Sequence, residues 1–67
     1  MDGMDLSMTV EQALVELHNP DPEARERAIR WLRVRGGPRA VDALIGALDD
    51  QDGNIRVRAA MALGELK

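Results

Sequence analysis

Between Thr9 and Leu66 the apolar residues recur at three- and four-residue intervals, the spacing of helices that each turn one face to a core. Short polar breaks divide them into four stretches. The first starts near Thr9, whose hydroxyl can cap it with Gln12 three positions on, and runs to about Leu17. "HNPDP" ends it, because proline lacks an amide hydrogen and its ring collides with the preceding helical turn. Asp21 is then a good N-cap and Pro22 a good first helical residue, so a second helix runs to about Arg35. Gly36-Gly37 stops it, Pro38 opens a third that reaches Leu48, and "DDQDG" forms a turn. Asp52 caps a fourth helix from Asn54 to about Leu66. Connections this short make neighbouring helices antiparallel. The pattern predicts an all-α domain over residues 7–67 behind a flexible tail over residues 1–6.

The second pair of helices is written like the first. At an offset of 31, Leu17 falls on Leu48, Asp21 on Asp52, Arg25 on Arg56, Ala28 on Ala59 and Leu32 on Leu63. Val10 falls on Val41 and Leu14 on Ile45. A fixed offset without gaps is the mark of stacked repeats, each covering its neighbour's apolar face.

On the second helix, Arg25, Ala28, Ile29 and Leu32 share one face with Trp31 at its border, while Glu23, Glu26, Arg27, Arg30 and Arg33 share the other. Arg25 is thus expected on the apolar side, where a charge is costly unless paired and hydrogen-bonded. The turn acids Asp21, Asp50 and Asp52, with loop carbonyls, are the expected partners, and Arg56 repeats the situation. A planar guanidinium with five donors can tie a turn to its neighbour.

The run D-x-D-x-x-I-R-x-x-A-x-x-A-L-G-E-L, from Asp50 to Leu66, closely resembles a HEAT-like repeat of the phycobilisome-lyase type. "GGPRAVDALIGALDD", from Gly36 to Asp50, is similar to that family's second helix and following turn. The resemblance covers about residues 7–67 and implies two stacked helical hairpins, a short α-solenoid. It also implies a structural ladder of arginines and acids, carried by Arg25, Arg56, Asp50 and Asp52 with Asp21 in the first turn. The first copy departs from the family pattern: Asn19 replaces an acid, Trp31 a small residue, and Arg33 the glycine found as Gly64. The family's concave binding side would here carry Met8, Gln12, Val15 and Glu16, then Arg39, Asp42 and Gly46.

In this phase the fourth helix has no following partner, and terminal repeats normally carry polar caps. Ile55, Ala59, Ala60, Ala62, Leu63 and Leu66 nevertheless spread round much of it. The expectation is an apolar end that seeks another surface, most simply a second copy, with Trp31 as a further anchor and a homodimer as the product.

Composition narrows the function. Sixty-seven residues make one small domain, of a size that is marginal alone. Hydrophobic residues are 45% of the chain and aromatic ones 1%, which suits helices packed through small side chains. There is no cysteine and His18 is the one histidine, which removes disulfides and the usual zinc sets and leaves no visible triad. Ser7 and Thr9 read as caps and His18 as a loop residue. "DDQDG" is too short for a calcium loop, and Gly36-Gly37 lacks the lysine and strand of a phosphate loop. The expectation is a non-enzyme without cofactor, metal or small-molecule substrate. No basic leader or membrane-length apolar run is present, so a cytoplasmic protein is expected.

Net charge is −3, but residues 24–40 hold six arginines against Glu26 alone. Arg27, Arg30 and Arg33 line one face that could meet an acidic protein or phosphate. Glu23–Arg27 and Glu26–Arg30 are spaced to neutralise part of it, and no aromatics interleave for base stacking. The function expected is a protein-binding scaffold module, with a protein partner. Its alternatives are an accessory subunit of an enzyme such as a bilin lyase, or nucleic-acid binding through that arginine face.

Overall fold

A computed structural model of the chain describes residues 8–35 and 37–66. Among them are four helices: α1 (Val10–Glu16), α2 (Pro22–Arg35), α3 (Gly37–Ala47) and α4 (Gly53–Leu66). The expected tail, Ser7 and Gly36 lie outside the described residues.

The helix ends are set by their own sequences. Thr9 Oγ1 accepts the Gln12 amide at 3.2 Å, and Gln12 Oε1 accepts the Thr9 amide at 3.3 Å, which closes the expected capping box. The two inter-helix turns share one construction. Asn19 Oδ1 accepts the Asp21 amide and Asp21 Oδ1 accepts the Glu23 amide. One repeat later, Asp50 Oδ1 accepts the Asp52 amide and Asp52 Oδ1 accepts the Asn54 amide. In each turn one side chain folds the loop and the next satisfies a free amide of the coming helix. Gly37 enters α3 with φ +65°, a conformation that costs glycine nothing and other residues strain.

Each hairpin, α1 with α2 and α3 with α4, stacks on the other so that α2 meets α4 and α1 meets α3. The core lies between them. Its largest fully buried side chains are Leu32, Leu44 and Ile55, packed among Ala13, Ile29, Ala40, Ala59 and Ala62. The 31-residue offset also orders burial: Ala13 matches Leu44, Ala24 matches Ile55, Ala28 matches Ala59 and Trp31 matches Ala62, and all eight are buried. Three of these pairs exchange large for small. Bulk missing from one copy is thus supplied at the matching place in the other, as close packing demands. Trp31 is 8% exposed, with the Arg35 guanidinium 5.8 Å from its ring centroid.

Burial corrects the expected association surface. Ile55, Ala59, Ala62 and Trp31 belong to the chain's own core and are not available to a partner. Leu63 and Leu66 are half-buried against that core, as is Met8, which had been expected on the open concave side. The reason is rotational: α4 turns these residues inward to α2 and α3 together, and so presents a different face outward. No described helix is long and apolar enough to cross a membrane.

Candidate functional site

Arg25 shows what a complete rung between repeats looks like. It leaves α2 toward the preceding turn, where Nη1 donates to the carbonyls of Asn19 at 2.7 Å and Pro20 at 3.1 Å. Nη2 donates to Asp50 Oδ1 at 3.1 Å across the stack. Nε lies 2.9 Å from Asp50 Oδ2 without an aligned hydrogen bond, so that contact is electrostatic. The two side chains are only 15% and 12% exposed. One edge of the guanidinium therefore closes its own turn, and the other grips the acid of the next repeat. Burial pushes the Asp50 carboxyl up, but the Asp52 amide and then Arg25 outweigh it and hold it below the ordinary aspartate range.

Arg56 makes the first half of this rung and not the second. Its Nη1 donates to the carbonyls of Asp50 at 2.7 Å and Gln51 at 3.2 Å, the same two bonds one repeat on. Among the described residues no carboxylate forms an ion pair with it, and the residue is exposed. This corrects the expectation that Arg56 repeats the half-buried pairing of Arg25. Asp21 and Asp52 likewise serve as caps and not as partners of an arginine side chain. The rung that crosses between the repeats is Arg25 with Asp50.

The outward side of α4 carries Val57 and Met61, 57% and 60% exposed, with Ala60 and Gly64 exposed beside them. One repeat earlier these positions are Glu26, Ile29, Arg30 and Arg33, which line the cleft of α2 against α4, and Met61 edges the same cleft from the α4 side. Glu26 pairs with Arg58 at 3.1 Å, Arg33 pairs with Glu65 at 2.9 Å, and Ile29 is buried. A Cβ added to Gly64 would meet nothing within 4 Å, so no neighbour in this chain requires glycine there. Sequence reasoning named Ala60 among the apolar residues of α4 but missed Val57, Met61 and Gly64 beside it. The signal that finds them is the same offset of 31, applied to the seam of α2 instead of to the core.

The remaining candidates occupy two other surfaces. Arg30 pairs with Glu26 at 3.5 Å and Arg33 with Glu65, so the arginine face is partly neutralised, once along α2 and once across to α4. The expected Glu23–Arg27 pair does not form. On the opposite layer, Arg39 reaches Glu11 at 2.9 Å and bridges α3 to α1, with Gln12, Val15 and Asp42 exposed around it. The Arg39 guanidinium, by hydrogen bond first, holds the Glu11 carboxyl below its ordinary range. A groove of about 780 Å³ runs between α1 and α3, floored by Leu14, Leu17 and Ala47 and edged by His18, Asp42 and Asp49. Among the described residues no three His, Cys, Asp or Glu side chains gather as a metal set.

Comparison with known proteins agrees with this stacking. The family description for HEAT repeats matches residues 10–67. The chain belongs to the HEAT-repeat family. A curated relative, the phycocyanobilin lyase subunit alpha of Microchaete diplosiphon, is 42% identical over 71 aligned residues, which cover 92% of this chain and 24% of the relative. The chain therefore spans about a quarter of that relative's length. No solved structure matches it significantly. Within the chain the repeats stack through α2 against α4 and α1 against α3.

Proposed function

We propose that this HEAT-repeat chain is a non-catalytic protein-interaction module that docks a helical partner on the outward face of α4. The observation that carries the reading is the exposure of two large apolar side chains, Val57 and Met61, on one helix. Large apolar side chains exposed together on one helix point to a docking surface. Family membership supports the same reading. The test is photocrosslinking with a benzophenone side chain at position 61 or at position 15, in cells that express the chain. Discrete protein adducts at position 61 and none at position 15 are expected. Equal labelling at both sites, or none at 61, sinks the reading.

A second reading rests on the relative. Its name describes a lyase subunit, and the 42% identity supports an accessory role for this chain in such a subunit. Its contribution there would be to hold parts of an assembly in register, while the chemistry belongs to other segments. Nucleic-acid binding through Arg27, Arg30 and Arg33 is disfavoured. Two of the three arginines already face carboxylates, and the chain as a whole carries a net charge of −3.

A further inference from the structure

We infer that the groove between α1 and α3 receives a short extended segment of a partner protein, one that carries two basic side chains separated by two residues. The groove is a different surface from the outward side of α4, so the inference goes beyond the reading above and does not depend on it. Its floor is apolar, made by Leu14 and Leu17 of α1 with Ala43 and Ala47 of α3. Its charge is not balanced. Asp50 on the wall is held by Arg25, the one arginine that lines the groove. Asp42 and Asp49 are exposed and pair with no cation among the described residues. Two unpaired carboxylates above an apolar floor suit lysine or arginine, whose methylene stem lies on apolar surface while its charged head meets the acid.

Gly46 opens the floor to a backbone. It lies in α3 between the two acids, where glycine weakens a helix relative to alanine. Nothing in the chain calls for glycine here. Gly37 alone among the described glycines has a positive φ, and a Cβ on Gly46 would meet nothing within 4 Å. The first copy has Val15 at this place. The bare backbone of Gly46 leaves room for another chain to come close. Two packed helices stand about 8–10 Å apart. A helix with its side chains is about 10–12 Å across, so an extended segment reaches the floor and a third helix does not. The helical turn continues past Ala47, with the Asp49 amide donating to the Gly46 carbonyl, which sets Asp42 and Asp49 about 10 Å apart along α3. In a polyproline II segment, side chains three positions apart share a face and stand about 9 Å apart. That fixes the spacing of the basic pair. The chain itself does not supply it. Residues 1–7 hold Asp2 and Asp5 and no lysine or arginine. Every arginine of a second copy stands on α2, α3 or α4, and Lys67 is a single basic residue.

The test is amide NMR of the unaltered chain titrated with a capped peptide in which two lysines are separated by two prolines. Saturable shifts are expected at Ala43, Gly46, Ala47 and Asp49, and none with a peptide that has glutamates in place of the lysines. Asp42→Asn combined with Asp49→Asn should weaken binding roughly tenfold or more, and added salt should weaken it in the unaltered chain. Gly46→Leu fills the floor with a better helix former, so it should abolish binding while the thermal midpoint holds or rises. That outcome separates loss of the site from loss of the fold. Met61→Glu, on the other surface, should leave the affinity unchanged. The inference is overturned by an absence of saturable shifts, by equal binding of the glutamate peptide, or by binding that ignores Asp42, Asp49 and Gly46. Shifts at the same amides that grow with the concentration of the chain alone would assign the groove to a second copy and overturn it too.

Discussion

Two arginines at the same repeat position do different work, and that difference can be measured. Arg25 bonds to two carbonyls and to Asp50 with little solvent on either side chain. Arg25→Met strands a half-buried carboxylate and opens the turn, and should cost about 2 kcal/mol. Arg56→Met loses exposed carbonyl bonds and a weaker, unpaired influence of its charge on Asp50, and should cost less than about 1 kcal/mol. Urea unfolding of both variants at neutral pH decides it; equal losses would mean that the contact with Asp50 adds nothing. The same rung gives the stability its acid dependence. Asp50 titrates lower in the folded chain than when unfolded, because the Asp52 amide and Arg25 together exceed the opposing effect of burial. A depressed carboxyl pKa contributes stability that is present above the unfolded value and is lost as pH falls through the folded one. The urea midpoint should therefore fall below about pH 4, and Asp50→Asn should be less stable at pH 7 with a shallower fall in that range. An unchanged acid limb in that variant would place the titration elsewhere.

The helices were legible because their ends are written locally. Thr9 with Gln12, Asp21 with Pro22, and Asp52 each fix a boundary without help from the rest of the fold. The 31-residue offset gave the stacking as well. What a sequence read helix by helix does not contain is rotation. Ile55, Ala59 and Ala62 look like a spare apolar stripe on α4 until α2 and α3 are both placed against it, and then they are core. Trp31 moves inward for a related reason, since Ala62 at the matching position of the second copy leaves it room. Arg56 was misplaced by assuming that a repeated residue has a repeated environment; the repeat supplies its near contacts, and the neighbour supplies the far ones. The core these rotations create is thin, which makes its few large residues decisive. Leu44 is fully buried in α3 where the first copy has Ala13. Leu44→Ala should cost about 2–5 kcal/mol, comparable to the whole stability of a chain this size. Thermal unfolding by circular dichroism should show the cooperative transition lost or its midpoint strongly lowered. A transition like that of the unaltered chain would mean that the core is filled from elsewhere.

At the scale of the molecule the two ends of the stack are unlike. On α4, Arg56 has no ion-pair partner among the described residues and Val57 is exposed; on the α2 side stand Asn19, Arg27 and the exposed Val34. Contacts that join unlike ends of identical chains do not close on themselves, so complementarity between these ends would lead to open chains of molecules and not to a dimer. Asn19 therefore has a consequence beyond its own turn: as a neutral residue where the next repeat has Asp50, it leaves the two ends mismatched. Restoring the acid should remove that block. The chain carrying Asn19→Asp alone, with Arg56 intact, has a turn carboxylate at one end and the edge that receives it at the other. Light scattering over a range of concentrations should show a mass that keeps rising past the dimer, and added salt should reverse it, since the new contact is ionic and partly exposed. The unaltered chain under the same conditions should stay near its monomer mass of 7.4 kDa. A variant mass that also stays at the monomer would show that the far side of α4 does not accept what α2 presents, whatever charge the turn carries. A mass that stops at the dimer for both chains would point instead to a two-fold contact, and Asn19 would then have no part in it.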